Sequence, residues 1–211
     1  MVAGIAISFN SLLTNNSVLN GKAKALLKKI KINRKLEGIK SRAFHHSHEW
    51  GRKGSAPTKI ILHGRIVSFT DVFSGFEGVS IVKRTFGKHV NVNVLFAKLK
   101  VGVFDGPGYV WVDEERDRLM ISKKYLENGM LVSLYLDVIH ELIHFKQHID
   151  GKDLWDERYD YVDRPTEVEA YRISVKEAKR LGMNKKEIAR YLYMKWLTKE
   201  QFKRLLKNSN A

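Results

Sequence analysis

A chain of 211 residues, 44% of them hydrophobic, is long enough to bury one core of ordinary size, and without cysteine it can form no disulfide and no thiolate metal site. Its net charge of +15 is lopsided, because residues 1–100 hold 18 Lys/Arg against 4 Asp/Glu and residues 101–211 hold 20 against 19. No apolar run approaches the roughly 20 residues that span a bilayer, so the reading is a soluble, cytoplasmic protein whose basic half suits an anionic partner, nucleic acid ahead of acidic lipid.

The opening stretch, Met1–Leu13, is apolar but has no basic residue before it and is interrupted by Asn10 and Ser11. It reads as a strand or loop and not as a signal peptide. Over Lys22–Ile32 the residues Ala25, Leu26, Ile30 and Ile32 fall near one side among lysines, which predicts a short basic amphipathic helix. Residues 34–57 are polar and punctuated by glycine, a loop or linker that carries His45, His46, His48 and Trp50. With no framework of further ligands around them, these histidines read as an exposed loop. Residues 1–57 are therefore expected to form a basic N-terminal segment of helix plus loop, and residues 58–211 the main domain.

Strand-like runs follow at Thr58–Thr70, Gly78–Lys83 and His89–Phe104, the last opening with clear alternation. Asp105-Gly-Pro-Gly108 is a turn signal, and Tyr109–Val112 and Arg118–Ser122 complete the strands around the acidic turn Asp113–Asp117. From Lys123 the apolar period becomes helical, through Leu126, Met130, Leu134, Val138, Leu142 and Ile149. A polar, aromatic loop, Asp150–Pro165, precedes a second helix from Thr166 to about Leu181 that stops at Gly182. Asn184–Glu187 and Thr198–Gln201 are capping boxes that start two more helices. Strands first and helices last predict an α+β domain, with a small, mostly antiparallel sheet followed by a long helix and a C-terminal helical subdomain.

The chemistry is concentrated in His140-Glu141-Leu-Ile-His144 on that long helix. Side chains four apart lie one turn apart on the same face, so two imidazoles can converge on one ion at roughly 2.0–2.1 Å each. Glu141 stands about 100° round from His140, too far to ligate but well placed as general base beside a water on the metal. With no cysteine to help, the third ligand comes from His148, Asp150, Glu167 or Glu169. Three ligands on one straight helix cannot meet a single tetrahedral ion, which discounts His148. Asp150 would need a glycine turn where Gln147 stands. Glu169 has a local role available in a capping box with Thr166. Glu167 has none and can point across from a neighbouring antiparallel helix, so it is the preferred ligand. Tyr159 and Tyr161, with Arg158 and Arg164, are the loop residues available to stabilise an oxyanion.

HELIH followed by a second helix carrying Glu167-Val-Glu-Ala170-Tyr171 resembles the gluzincin clan of zinc metallopeptidases, and is similar to compact prokaryotic members such as archaeal minigluzincins and IrrE-type regulatory peptidases. The resemblance covers roughly residues 105–180 and leaves the basic half unmatched. It implies a zincin-like fold, one zinc ion held by His140, His144 and Glu167, Glu141 as base and acid, and a peptide or protein substrate. In the zincins an edge strand holds the substrate backbone, which points here to the strand at Tyr109–Val112 or Arg118–Ser122. Many members have Asp four residues after the ligand Glu to buttress a histidine; here that position is Tyr171, so the support must come from a phenol hydrogen bond or from Asp137. A nucleic-acid-binding protein with this scaffold used structurally, or a latent enzyme with a terminal segment in its cleft, are the alternatives.

Overall fold

In a computed structural model that describes residues 19, 21–50, 58–106 and 108–211, the chain begins with helix α1 (Gly21–Lys29) and the short strand β1 (Lys31–Ile32). Strands β2 (Arg42–Trp50) and β3 (Thr58–Ser68) then pair antiparallel, followed by helix α2 (Phe69–Val72), strand β4 (Phe73–Ser74) and helices α3 (Ser80–Phe86) and α4 (Val92–Lys98). Strands β5 (Lys100–Asp105), β6 (Val110–Asp113) and β7 (Arg118–Ser122) lead into helices α5 (Lys123–Asn128) and α6 (Leu131–Ile149). Helices α7 (Pro165–Arg180), α8 (Lys185–Leu192) and α9 (Lys199–Asn208) end the chain. The larger sheet has the order β2–β3–β5–β7–β6, antiparallel except where β5 pairs parallel with β7, and β1 pairs with β4 in a separate ribbon. Mixed helix and sheet in this arrangement is the α+β class expected. No described helix is long and apolar enough to cross a membrane.

One core joins the helices to the sheet. Val67, Val101, Val103, Leu119 and Ile121 face the buried side of α6, and Ala23, Leu27 and Ile30 of α1 reach the same cluster. The described part of the basic N-terminal segment is thus tied in by α1, by β1, and by Arg34, whose guanidinium donates to the Glu127 carbonyl at 2.9 Å. On the other sheet face Leu62, Phe104, Trp111 and Met120 form a smaller cluster with Phe44 packed against it.

Several local expectations are corrected. Residues 42–50, read as loop, form β2, because nine register pairs with β3 supply the backbone bonds that a polar side-chain pattern does not advertise. Gly78–Lys83, read as a strand, begins helix α3, where Ile81, Val82 and Phe86 are buried. The alternation after His89 misleads in the same way. Asn91 caps α4 by accepting from the backbone N–H groups of Asn93 and Val94, which buries Val92 and Phe96 one turn apart and leaves Val94 exposed. The helix expected from Lys123 to Ile149 is broken at Gly129 and Met130, which are extended. The two C-terminal capping boxes form as expected. Gly182 ends α7 in a Schellman turn at φ 92°, with Met183 N–H bonded to the Ala178 carbonyl. The stretch Met1–Leu13, residues 51–57, and the side chains of His46, His48 and Trp50 lie outside the described residues.

Candidate metal centre

Helix α6 is buried on nearly every side along Val138–Phe145, because the sheet, α3 and α7 all pack on it. His140, Glu141 and His144 are therefore interior residues, 6%, 8% and 6% exposed, and not the solvated face of a helix half-sunk in the core. Glu167, on the first turn of α7 and also buried, points across at both rings. His140 Nε2 and His144 Nε2 are 2.9 Å apart, and Glu167 Oε2 lies 3.3 and 3.4 Å from them. Among the described residues these three form the one group of three or more donors whose ligand atoms all lie within 4.8 Å of one another.

The donor set fits a metal on three counts. Ligands about 2.0–2.1 Å from an ion with near-tetrahedral angles stand roughly 3.3–3.4 Å from one another, which matches the carboxylate distances. Glu167 Oε2 is fully buried yet makes no hydrogen bond, a cost of about 1–3 kcal/mol if nothing else reaches it. Burying two carboxylates and two imidazoles together also has no rationale in stability, since each buried charge costs several kcal/mol. Among the alternatives, His148 bonds Asp117 at 2.9 Å, Asp150 pairs with Lys146, and Glu169 pairs with Lys152 at 2.7 Å.

A residue that the sequence reading passed over holds the centre in shape. Gln147, 2% exposed, accepts from His144 Nδ1–H at 2.8 Å, while its amide donates to the Thr166 carbonyl at 3.0 Å and to Glu169 Oε2 at 2.9 Å. Both of those partners only accept, so the amide orientation is fixed, and the Nδ1 proton on His144 leaves its Nε2 lone pair facing the cluster. The bonds also cross from α6 to α7 and set the two ligand helices in register. They explain why the expected Thr166–Glu169 capping box does not form. Pro165 starts α7 early with Arg164 as its cap, Thr166 Oγ1 is buried without a partner, and Glu169 is taken by Gln147 and Lys152.

His140 is supported differently. Its Nδ1 is buried without a hydrogen-bond partner, and the expected phenol or Asp137 bond is not made. Tyr171 instead lies against the imidazole, ring centroids 4.4 Å apart, with its hydroxyl 2.7 Å from that of Tyr161. Asp137 is bonded by the hydroxyls of Tyr125 and Tyr191. Of the two loop tyrosines, Tyr161 is the one beside the cluster, where burial and the nearby Glu167, Tyr171 and Glu141 push its phenol well above the ordinary range. Tyr159 is 40% exposed with Arg158 over its ring. Arg158 pairs with Asp156, and Arg164 lies over Trp155. The C-terminal helices pin the Tyr161 turn, with Arg204 on Asp160 and Asp163, Asn208 on the Val162 carbonyl, and Trp196 against the Tyr161 ring.

The electrostatics separate two roles. Burial pushes the Glu141 carboxyl up to about 8, although its bond from the Val112 backbone works the other way. Burial opposes charge on His144 too, but Glu167 overrides it and raises the imidazole to about 9. Against its own burial, Glu167 is held well below the usual carboxylate range by the two imidazoles. Burial and His144 lower His140. One carboxylate is thus an ion tuned to face cations, and the other is poised to carry a proton near neutral pH.

Glu141 also connects the centre to the sheet edge. Ser122 N–H bonds the Tyr109 carbonyl at 2.8 Å, which fixes the antiparallel alternation of β6 with β7. Val110 and Val112 therefore turn their backbone groups away from β7, and the Val112 N–H meets Glu141. No family model, curated protein or solved structure matches the chain.

Proposed function

We propose that the protein is a zinc-dependent peptidase of zincin-like architecture, with His140, His144 and Glu167 as metal ligands and Glu141 as general base and acid. The observation that carries this reading is the division of labour at the site. Three donors converge on one point, while a second acidic group, Glu141, stands beside them, directed to the edge strand. Two histidines and one carboxylate are a donor set that suits catalytic zinc and leaves a coordination position open. When bound there, zinc supplies Lewis acidity that acidifies a water and polarises a carbonyl.

The protein's own groups account for the rest. Glu141 takes the proton of the attacking water and passes it to the leaving amine, a task suited to a carboxyl whose pKa lies near neutrality. The Tyr161 phenol stays protonated and can donate to the developing oxyanion. The outward backbone groups of β6 can hold an extended peptide by β-augmentation beside Glu141. Glu141→Gln is the test: the variant is expected to keep its zinc and lose proteolysis. Cleavage at the wild-type rate by a zinc-loaded variant overturns the mechanism.

A second reading, a nucleic-acid-binding role for the basic half, is favoured by one observation. Among the described residues every ion pair lies between Asp113 and Arg204, so the cations before them, such as Lys24, Lys28, Lys35, Lys40 and Lys98, are left for solvent or a polyanion. Binding to DNA that weakens steeply with salt and is indifferent to zinc removal supports this role. Absence of binding at low salt dismisses it.

A further inference from the structure

We propose that His45 and His63 form a second, surface site for a divalent transition-metal cation, assisted by Asp105. The strand register places His45 of β2 opposite His63 of β3, and His63 opposite Asp105 of β5. Residues directly opposite share a face, so the three side chains form one row across three neighbouring strands. All three are exposed.

The two rings are arranged as the histidines of the buried centre are. His45 Nδ1 and His63 Nδ1 are 3.0 Å apart, with ring centroids 4.3 Å apart and planes at 68°. For His140 and His144 the nitrogens are 2.9 Å apart, the centroids 4.6 Å and the angle 79°. Two nitrogens about 2.0–2.1 Å from one ion, at angles between a right angle and the tetrahedral value, stand roughly 2.9–3.4 Å apart. A neutral pair could instead share a single proton, but a hydrogen bond open to water contributes little, and protonating both rings sets donor against donor. A cation resolves both. Imidazole suits zinc, nickel and copper; water fills the remaining positions, and the Asp105 carboxylate, one strand from His63, supplies the negative charge. Arg65, two residues along β3 on the same face, together with the open solvent, makes this site weaker than the buried one.

The inference does not depend on the peptidase reading, and one experiment separates them. Titration of the metal-free full chain with zinc, followed by calorimetry, is expected to show two equivalents, one tighter and one weaker. His45→Gln and His63→Gln should each remove the weaker equivalent only, and Asp105→Asn should weaken it. His140→Ala should remove only the tighter one. Because the substituted surface side chains are exposed, an unchanged melting temperature certifies the fold of these variants. Saturation of the wild type at a single equivalent that is lost in His140→Ala, or a second equivalent that survives both surface substitutions, overturns the proposal. A wild type that keeps only the weaker equivalent supports it while removing the buried centre.

Discussion

Replacing Gln147 by Ala tests whether the buried centre is held in shape from outside its ligands. The substitution removes the acceptor that fixes the buried His144 Nδ1–H and the donor that ties α6 to the Thr166 carbonyl of α7. Loss of a group that orients a metal-bound histidine typically costs 10–100-fold in affinity, about 1.4–2.8 kcal/mol by the factor of ten per 1.4 kcal/mol. The buried His144 Nδ1–H, left without its acceptor, adds about 1–3 kcal/mol to the cost of folding, which for a chain of this size lowers the melting temperature by roughly 2–12 °C. Zinc affinity measured by competition with a chromophoric chelator, beside a thermal melt of the metal-free variant, separates the two effects. A folded variant with wild-type zinc affinity would refute the claim that Gln147 positions His144.

Other outcomes follow from the same geometry. Tyr161→Phe should keep zinc and lower turnover by about 100-fold with little change in KM, as removal of an oxyanion donor does; an unchanged turnover removes Tyr161 from the mechanism. Val110→Pro deletes a backbone donor that faces away from β7, so KM for peptides should rise while the fold and zinc content stay as they are. The same KM in that variant would show that peptides do not lie along β6. Gly64→Ala would drive a methyl into the Val103 carbonyl and to within 2.8 Å of Phe104 Cα, and is expected to cost about 3 kcal/mol; a wild-type melting curve contradicts the tight β3–β5 approach.

The response to pH has a defined sign. His144, raised to about 9, adds stability that is complete below its unfolded value of about 6.5 and is lost as pH rises through 9. Glu141, raised to about 8, favours the protonated fold, so its contribution also declines as pH climbs from about 4.3 to 8. The metal-free protein should lose stability from both groups as pH rises toward 9. Zinc needs an unprotonated His144, so the zinc-induced rise in melting temperature should be larger at about pH 9 than at about pH 6. A rise independent of pH contradicts this linkage.

Much of the site was legible because a helix converts spacing into direction. His140 and His144 had to share a face, and Glu167 stood out for lacking a local task. What could not be read were the long-range partners. Gln147 looked only like a missing glycine, since nothing local shows that its amide meets Thr166 and Glu169 on another helix. A phenol hydrogen bond or Asp137 was expected to support the histidine, where the packing instead gives Tyr171 a tilted ring contact with His140. In the fold, β2 was hidden because its stabilising bonds lie in the backbone, and α4 because Val90, Val92 and Val94 alternate like a strand while Asn91 caps a helix. His45 was set aside as a loop residue; only the register with His63 gives it a partner.

The central claim is that two imidazoles of α6 and the Glu167 carboxylate of α7 hold one tightly bound ion. Elemental analysis after dialysis against a weak chelator, on the wild type and on His144→Ala and Glu167→Gln, addresses it most directly. One zinc per chain in the wild type, lost or greatly weakened in both variants, is the predicted result. A wild type that emerges free of metal, or variants that retain the full equivalent, contradicts it.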